Sequence, residues 1–332
     1  MLLPEPRGLK LNLMKILVTG GNGFIGSHVV DNLLLKNHEV TVFDRFKKVP
    51  PRWKNVNQYT ADIKDAESLF DAVAKHDCVI HLAGLLGTAE SVSTPKESVD
   101  VNIVGALNVY NAVKRYKKPA VTITVGNYTW NNTYAITKYT AERFALMYNR
   151  EFDTKIAIVR GLNVYGQRQK HAPVKKVIPN FILNALKNKP IAIYGDGEQL
   201  LDLIYVKDTA EIIVRALLVN HNLYNTVVEA GSGETVSVNE LAGLIIKLAN
   251  SKSQVQHLPM RSGEPLRSIT LGDPSTLQPL AFRTQDFTPL EKGLKRTIAW
   301  YKKEYLPRLD SETPSIQTRR PKTKRSSARK RS

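Results

Sequence analysis

The segment KILVTGGNGFIGSHVV, which begins at Lys15, constrains this chain more than any other stretch. A short β-branched run leads into a glycine-rich turn, with Gly20, Gly23 and Gly26 at intervals of three, and then into an apolar, helix-forming stretch. Each glycine has a physical role: a tight turn, close approach of backbone to a pyrophosphate, and close packing of helix on strand. The helix N-terminus, opened by Phe24 and Ile25, then points free N–H groups at the phosphates. One run further on, VTVFD ends at Asp44. A carboxylate there accepts hydrogen bonds from adenosine ribose hydroxyls and repels a 2′-phosphate. The pattern therefore predicts NAD over NADP, although Arg45, directly after Asp44, speaks for NADP. A glycine turn that holds no ligand would account for the glycines but not for strand, helix and Asp44 together.

Behind this motif the chain alternates β-branched runs with amphipathic ones: helix 24–36, EVTVFD, helix 65–75, DCVIHLAG, helix 96–116, AVTITVG, helix 134–151, TKIAIVRG. Parallel strands need crossover helices and are buried on both faces, so this rhythm reads as an α/β fold. The expectation is a Rossmann-type doubly wound parallel sheet over residues 14–165. After residue 165 the rhythm loosens into Gly-, Pro- and Lys/Arg-rich loops with helices near 175–187, 207–219, 237–249 and 289–304. Residues 166–306 are read as mainly a smaller substrate-binding lobe with interleaved returns to the sheet. It should lie over the C-terminal ends of the strands, where such folds bind ligands.

Charge matters mainly at the C-terminus. The chain carries a net +18, of which residues 311–332 supply +7, eight basic residues against Glu312 alone. With almost no apolar residue, the stretch 307–332 cannot offset its ordering entropy and is expected to be a disordered basic tail, solubilising or polyanion-binding. Residues 1–13, with Pro4, Pro6 and Gly8, read as an irregular extension. The one cysteine, Cys78, lies in an apolar run and reads as a buried strand residue rather than a nucleophile. No stretch approaches the roughly 18 apolar residues of a membrane span, and no targeting pattern stands at the N-terminus, so a cytoplasmic protein is expected.

Tyr134 and Lys138 in TYAITKYTAERF are four residues apart, one helical turn on one face. A nearby ammonium and a positive nicotinamide ring both favour phenolate, which would bring the phenol down from near 10 towards working pH. Tyr134 is then suited to take a hydroxyl proton while hydride leaves the same carbon, with Lys138 also holding the nicotinamide ribose. No metal-ligand set is expected.

The spacing GxxGxxG resembles the extended short-chain dehydrogenase/reductase superfamily, in particular its nucleotide-sugar epimerases and dehydratases. Further blocks support the resemblance across 14–305. Asp62 and Ile63 resemble the pair beside the adenine, and HLAG, with Leu82, Ala83 and Gly84, the strand end lining the cofactor. Asn102 matches a family helix position. RGLNVYGQRQ, which holds Asn163, resembles the loop after the catalytic helix, and YGDGEQLLDLIYVKD a substrate-lobe block. The resemblance implies NAD as cofactor, a nucleotide-sugar substrate, and a homodimer paired through helices 96–116 and 134–151. It also implies that Thr124 bonds the reacting hydroxyl and relays its proton; a plain strand residue is the alternative there.

Two departures stand out. Thr124 and Tyr134 are ten residues apart, where the family places a longer substrate-facing loop, so a more open pocket is expected. Leu201 stands where the family commonly has an arginine on the substrate diphosphate; Arg261 and Arg267 resemble the remaining phosphate-binding arginines, and Lys176 is a candidate to compensate. The residues after Thr124 are Val125, Gly126 and Asn127, without the acid that dehydratases and decarboxylases of this family carry. The resulting expectation is epimerisation through a 4-keto sugar, with a dehydratase or reductase of the same family as the alternative. A reading from another class is a non-catalytic NAD-binding scaffold with a polyanion-binding tail.

Overall fold

Runs of buried β-branched residues set the architecture. A computed structural model of the chain describes residues 13–47, 50–53, 56–218 and 223–312. Seven strands, β1 (Lys15–Thr19), β2 (Glu39–Asp44), β3 (Asn57–Thr60), β4 (Cys78–His81), β5 (Ala120–Val125), β6 (Ile156–Gly161) and β7 (Val227–Ala230), make one sheet in the order β7-β6-β5-β4-β1-β2-β3. Every neighbouring pair is parallel. The doubly wound sheet is thus the one expected, with β3 added at the edge. Its sequence, NQYT, lacks the apolar run of a central strand, and its four residues are exposed or half-buried.

Helices cover both faces. On one side α1 (Phe24–Leu35) packs beside a later helix at Val206–Leu218, burying Val29, Val30, Leu33, Ile212 and Ile213 against the strands. The other side carries α2 (Ala66–Ala74), α3 (95–116) and α4 (Thr133–Phe152), which bury Leu69, Val109, Tyr110, Ala141 and Ala145. Burying a large apolar side chain of this kind contributes about 1.5–3 kcal/mol. Helix α3 is continuous but passes through a π-helical turn at Asp100–Val104 before Gly105–Tyr116.

The second lobe has its own core. Helices α5 (Val177–Leu186), α6 (Val206–Leu218, the one already placed on the sheet), α7 (Val238–Ala249) and α8 (290–312) follow the expected spacing, and α5, α7 and α8 enclose Phe181, Ile182, Leu241, Ile245, Leu294 and Tyr301. A capping box, Ser237 with Glu240, starts α7. Helix α8 runs through a π-turn at Tyr301–Tyr305 into Leu306–Glu312, beyond the boundary expected at 306. The rest of the basic tail, 313–332, and residues 1–12 lie outside the described residues, and the polyanion expectation with them. Among the described residues no helix is long and apolar enough to cross a membrane. Cys78 is buried in β4, where burial pushes its thiol up to about 12.

The strand order reverses between β1 and β4, so a crevice opens at their C-terminal ends. Gly20 sits there in the left-handed region, φ 71°. A Cβ on it would stand 2.7 Å from the Ala83 backbone nitrogen, so only glycine lets the two strand ends close in.

Candidate active site

That crevice continues into a cleft of about 1690 Å³ between sheet and lobe. Its sheet side is lined by Gly20, Gly23, Phe24, Ile25, Gly26, Asp44, Asp62, Ile63, Leu82, Ala83 and Gly84. Asp44 is fixed by the glycine turn: one carboxylate oxygen accepts the Asn22 N–H at 3.1 Å and the other the Phe46 N–H at 3.1 Å. Asp62 accepts from the Lys64 N–H, and Ile63 is buried against Gly105 of α3.

Tyr134 and Lys138 project into the same cleft from the first two turns of α4. Asn132 caps this helix, accepting the Ala135 N–H at 2.9 Å, while its amide donates to the Gly263 carbonyl in the lobe. Lys138 is buried, lies beside Gly84, and has no hydrogen bond or ion pair among the described residues. Burial brings its ammonium down to about 8 and pushes the Tyr134 phenol up to about 12. Burial alone moves the phenol, and upward; the lowering expected from the residue pairing also calls on the positive nicotinamide ring. Lys176, half-buried, places its ammonium 5.9 Å from the centre of the Tyr134 ring, and burial lowers it as well.

On the lobe side stand Asn163, Lys176, Leu201 and Arg261. Asn163 donates to the Asp202 carbonyl. Arg261 is already engaged: Nη2 donates to Glu264 at 2.6 Å and to the Thr88 hydroxyl at 3.3 Å, Nη1 to the Lys175 carbonyl, and Glu90 lies 3.8 Å away. Its Nε is buried and has no partner among the described residues.

A glycine cradle that a Cβ would fill, an isolated buried ammonium and a carboxylate at the second strand end together fit a dinucleotide. Residues 16–231 match the NAD-dependent epimerase/dehydratase family. The chain belongs to that family. It is 32% identical over 311 residues to a putative UDP-glucose 4-epimerase of Methanocaldococcus jannaschii, covering 86% of this chain and 98% of that protein. A UDP-N-acetyl-alpha-D-glucosaminuronate decarboxylase of Bacillus cytotoxicus is 29% identical over 325 residues, 87% and 98% of the two chains. Among solved structures, the UDP-glucose 4-epimerase of Thermus thermophilus in complex with NAD superposes with a TM-score of 0.79 at 27% identity, covering 88% of this chain and 100% of that one. NAD is the cofactor of the family.

Two of the expected site positions are engaged with the protein itself. Asn102 does not line the cleft: its amide accepts the Leu85 N–H at 2.7 Å and donates to the Leu85 carbonyl and the Thr137 hydroxyl. From the π-turn of α3 it holds the turn after β4, against the cleft-lining Gly84. Arg267 is 87% exposed, 3.9 Å from Asp196 and outside the cleft.

Thr124 does reach the cleft wall, but its hydroxyl donates to Glu142 at 2.8 Å. Glu142 is two helical turns beyond Tyr134 on α4, roughly 12 Å along the axis. Arg160 of β6 grips the same carboxylate with two bonds, 2.6 and 2.9 Å, and reaches Glu229 of β7 at 2.9 Å. The hydrogen of the Thr124 hydroxyl is thus held by Glu142. The short loop after β5 turns Tyr128 onto the Arg160 guanidinium, 3.9 Å from the ring centre, and leaves Trp130 half-buried at the cleft lip. Glu142, Arg160 and Glu229 are functional neighbours that the sequence did not single out. The recurrence of Tyr134, Lys138 and Glu142 at intervals of four was the one signal available.

Proposed function

We propose that the chain is an NAD-dependent 4-epimerase of a UDP-linked sugar. The observation that carries this reading is the end of β5, where Val125, Gly126 and Asn127 bring no acid to the place at which elimination or handling of a carboxylate needs one. The carboxylate of Glu264, which also borders the cleft, is held by Arg261 and by the Thr88 hydroxyl, 2.5 Å away.

When bound, NAD supplies the acceptor and donor of hydride at the sugar carbon. The remaining work falls to the side chains. Tyr134 takes the proton of the sugar 4-hydroxyl and returns it after the 4-keto sugar has turned over in the cleft. Lys138, without a partner among the described residues, holds the nicotinamide ribose. Its charge, added to that of the oxidised ring, opposes the burial that pushes Tyr134 up. Arg261 and Lys176 hold the diphosphate in the absence of an arginine at Leu201. Asp44 selects an unphosphorylated ribose. Exposed Val99, Val104 and Ile136 on α3 and α4 favour pairing of these helices with a second copy.

The test is Tyr134→Phe, which should retain NAD and lose at least about a hundredfold in turnover, the usual worth of a general base. Turnover within a few fold of wild type would remove Tyr134 from the mechanism.

A further inference from the structure

The mouth of the dinucleotide crevice is bordered by two stretches far apart in sequence, residues 50–53 after β2 and residues 168–170 after β6. Both are fastened to one carboxylate on α1. Asp31 accepts from the Trp53 indole N–H at 2.6 Å and from Arg52 Nε at 2.9 Å. Its other oxygen accepts from Arg168 Nη2 at 2.5 Å. Arg168 also donates to the Ser27 carbonyl and hydroxyl, at 3.0 and 3.1 Å. It does so from a left-handed backbone, φ 70°, a conformation that a residue with a Cβ rarely keeps without a reason.

Neighbouring contacts act in the same sense. The His28 ring meets the Gln167 carbonyl at 2.9 Å, and Asn22 of the glycine turn donates to the Phe46 carbonyl at 2.6 Å. Trp53 is 1% exposed and Arg52 lies over its ring, so the fastening is packed as well as hydrogen-bonded. Burial alone would raise the Asp31 carboxyl, but the Trp53 hydrogen bond, the charge of Arg168 and the hydrogen bonds of Arg52 and Arg168 outweigh it and hold the group below the usual carboxylate value. Asp31 itself lies off the apolar face of α1, which packs on the sheet through Val29, Val30 and Leu33, whereas Trp53 belongs to the same core as those residues.

We infer that Asp31 is a positioning residue that latches both stretches across the crevice and sets how long NAD stays bound. The inference rests on NAD occupying the crevice, not on the 4-epimerase reading. A cycle in which the cofactor is reduced and reoxidised in place gains from such a latch, because early departure would strand a keto sugar. A cycle that exchanges NAD for NADH at every turnover would be slowed by it.

The experiment measures the rate at which NAD leaves the full-length holoprotein after rapid dilution into a trap that consumes free NAD. Asp31→Ala should release NAD at least about tenfold faster, and Arg168→Gln, which removes a single clasp, several-fold faster. Asp31→Glu should restore most of the retention. The double variant should release NAD faster than Asp31→Ala by less than the product of the two single effects, because the single variants share the Asp31–Arg168 contact while Arg168 keeps its bonds to Ser27 in Asp31→Ala. Melting of the cofactor-free protein is followed alongside, and a merely structural role would move it in step with release. Equal release rates in wild type and Arg168→Gln, or acceleration that only tracks a lower melting temperature, would overturn the latch. If Asp31→Ala does not fold, Arg168→Gln and Asp31→Glu decide the matter. A wild-type protein that binds no NAD would overturn the latch and the cofactor reading together.

Discussion

Replacing Lys138 by methionine should make the cofactor-free protein more stable while abolishing its activity. The ammonium is buried without a carboxylate or carbonyl among the described residues to receive it, and burial holds it at about 8 where a free lysine titrates at 10.5. At about 1.4 kcal/mol per pH unit, that difference amounts to roughly 3 kcal/mol against the folded state at neutral pH. The sign follows from proton binding: with a lowered folded value, the unfolded chain holds the proton more tightly between about pH 8 and 10.5. Stability therefore rises with pH across that window and is lowest below it. Methionine keeps the apolar stem and removes the charge. A chain of 332 residues unfolds with an entropy of about 0.7 kcal/mol/K, so the gain at pH 7 should appear as a rise of roughly 4–5 °C in melting temperature. Thermal melts of cofactor-free wild type and Lys138→Met from pH 6 to 10 provide the assay. The two curves should converge as the pH nears 10. A variant that melts at or below wild type at pH 7, with the same pH dependence, would refute the reasoning.

The Glu142–Arg160 pair makes the opposite prediction. Glu142→Ala leaves Arg160 with Glu229 alone and should cost about 3 kcal/mol, whereas adding Arg160→Met should recover at least about 1 kcal/mol of it in urea unfolding; additive losses would contradict a buried-charge origin. Thr124→Val should reduce turnover less than Tyr134→Phe does, and an equal loss would restore a proton relay to Thr124. Asp44→Ala should weaken selection of NAD over NADP in binding titrations; unchanged selectivity would remove Asp44 from the ribose site. Light scattering at micromolar concentration should give twice the chain mass, and a monomer would exclude pairing through α3 and α4.

The sheet was legible because its signal is local. Strands buried on both faces must be apolar along their length, and crossover helices must separate them, so the runs from Lys15 to Gly161 announce themselves. Asn57–Thr60 does not, since an edge strand need not be apolar. The glycine turn was legible for the same local reason, and Asp44 needs only the end of β2 to reach the crevice. What stayed hidden depends on which way side chains turn. Asn102 stands at a family position, but the π-turn at Asp100–Val104 aims it at Leu85. Arg267 follows a loop whose course no periodicity reports. The partners of Thr124 come from α4, β6 and β7, and those of Asp31 from residues 52, 53 and 168; contacts of such separation leave no spacing to read. The burial that raises the Tyr134 phenol comes from packing around α4, which no spacing in the sequence shows.

The central claim is that hydride leaves the sugar and returns to the same carbon. A UDP-hexose labelled with deuterium at C4, incubated with the NAD-loaded protein and followed by mass spectrometry and NMR, tests it directly. The account predicts a C4-inverted UDP-hexose that keeps its deuterium, with no net formation of NADH. Deuterium recovered in free NADH, a 4-keto-6-deoxy sugar as product, or unaltered substrate would contradict it.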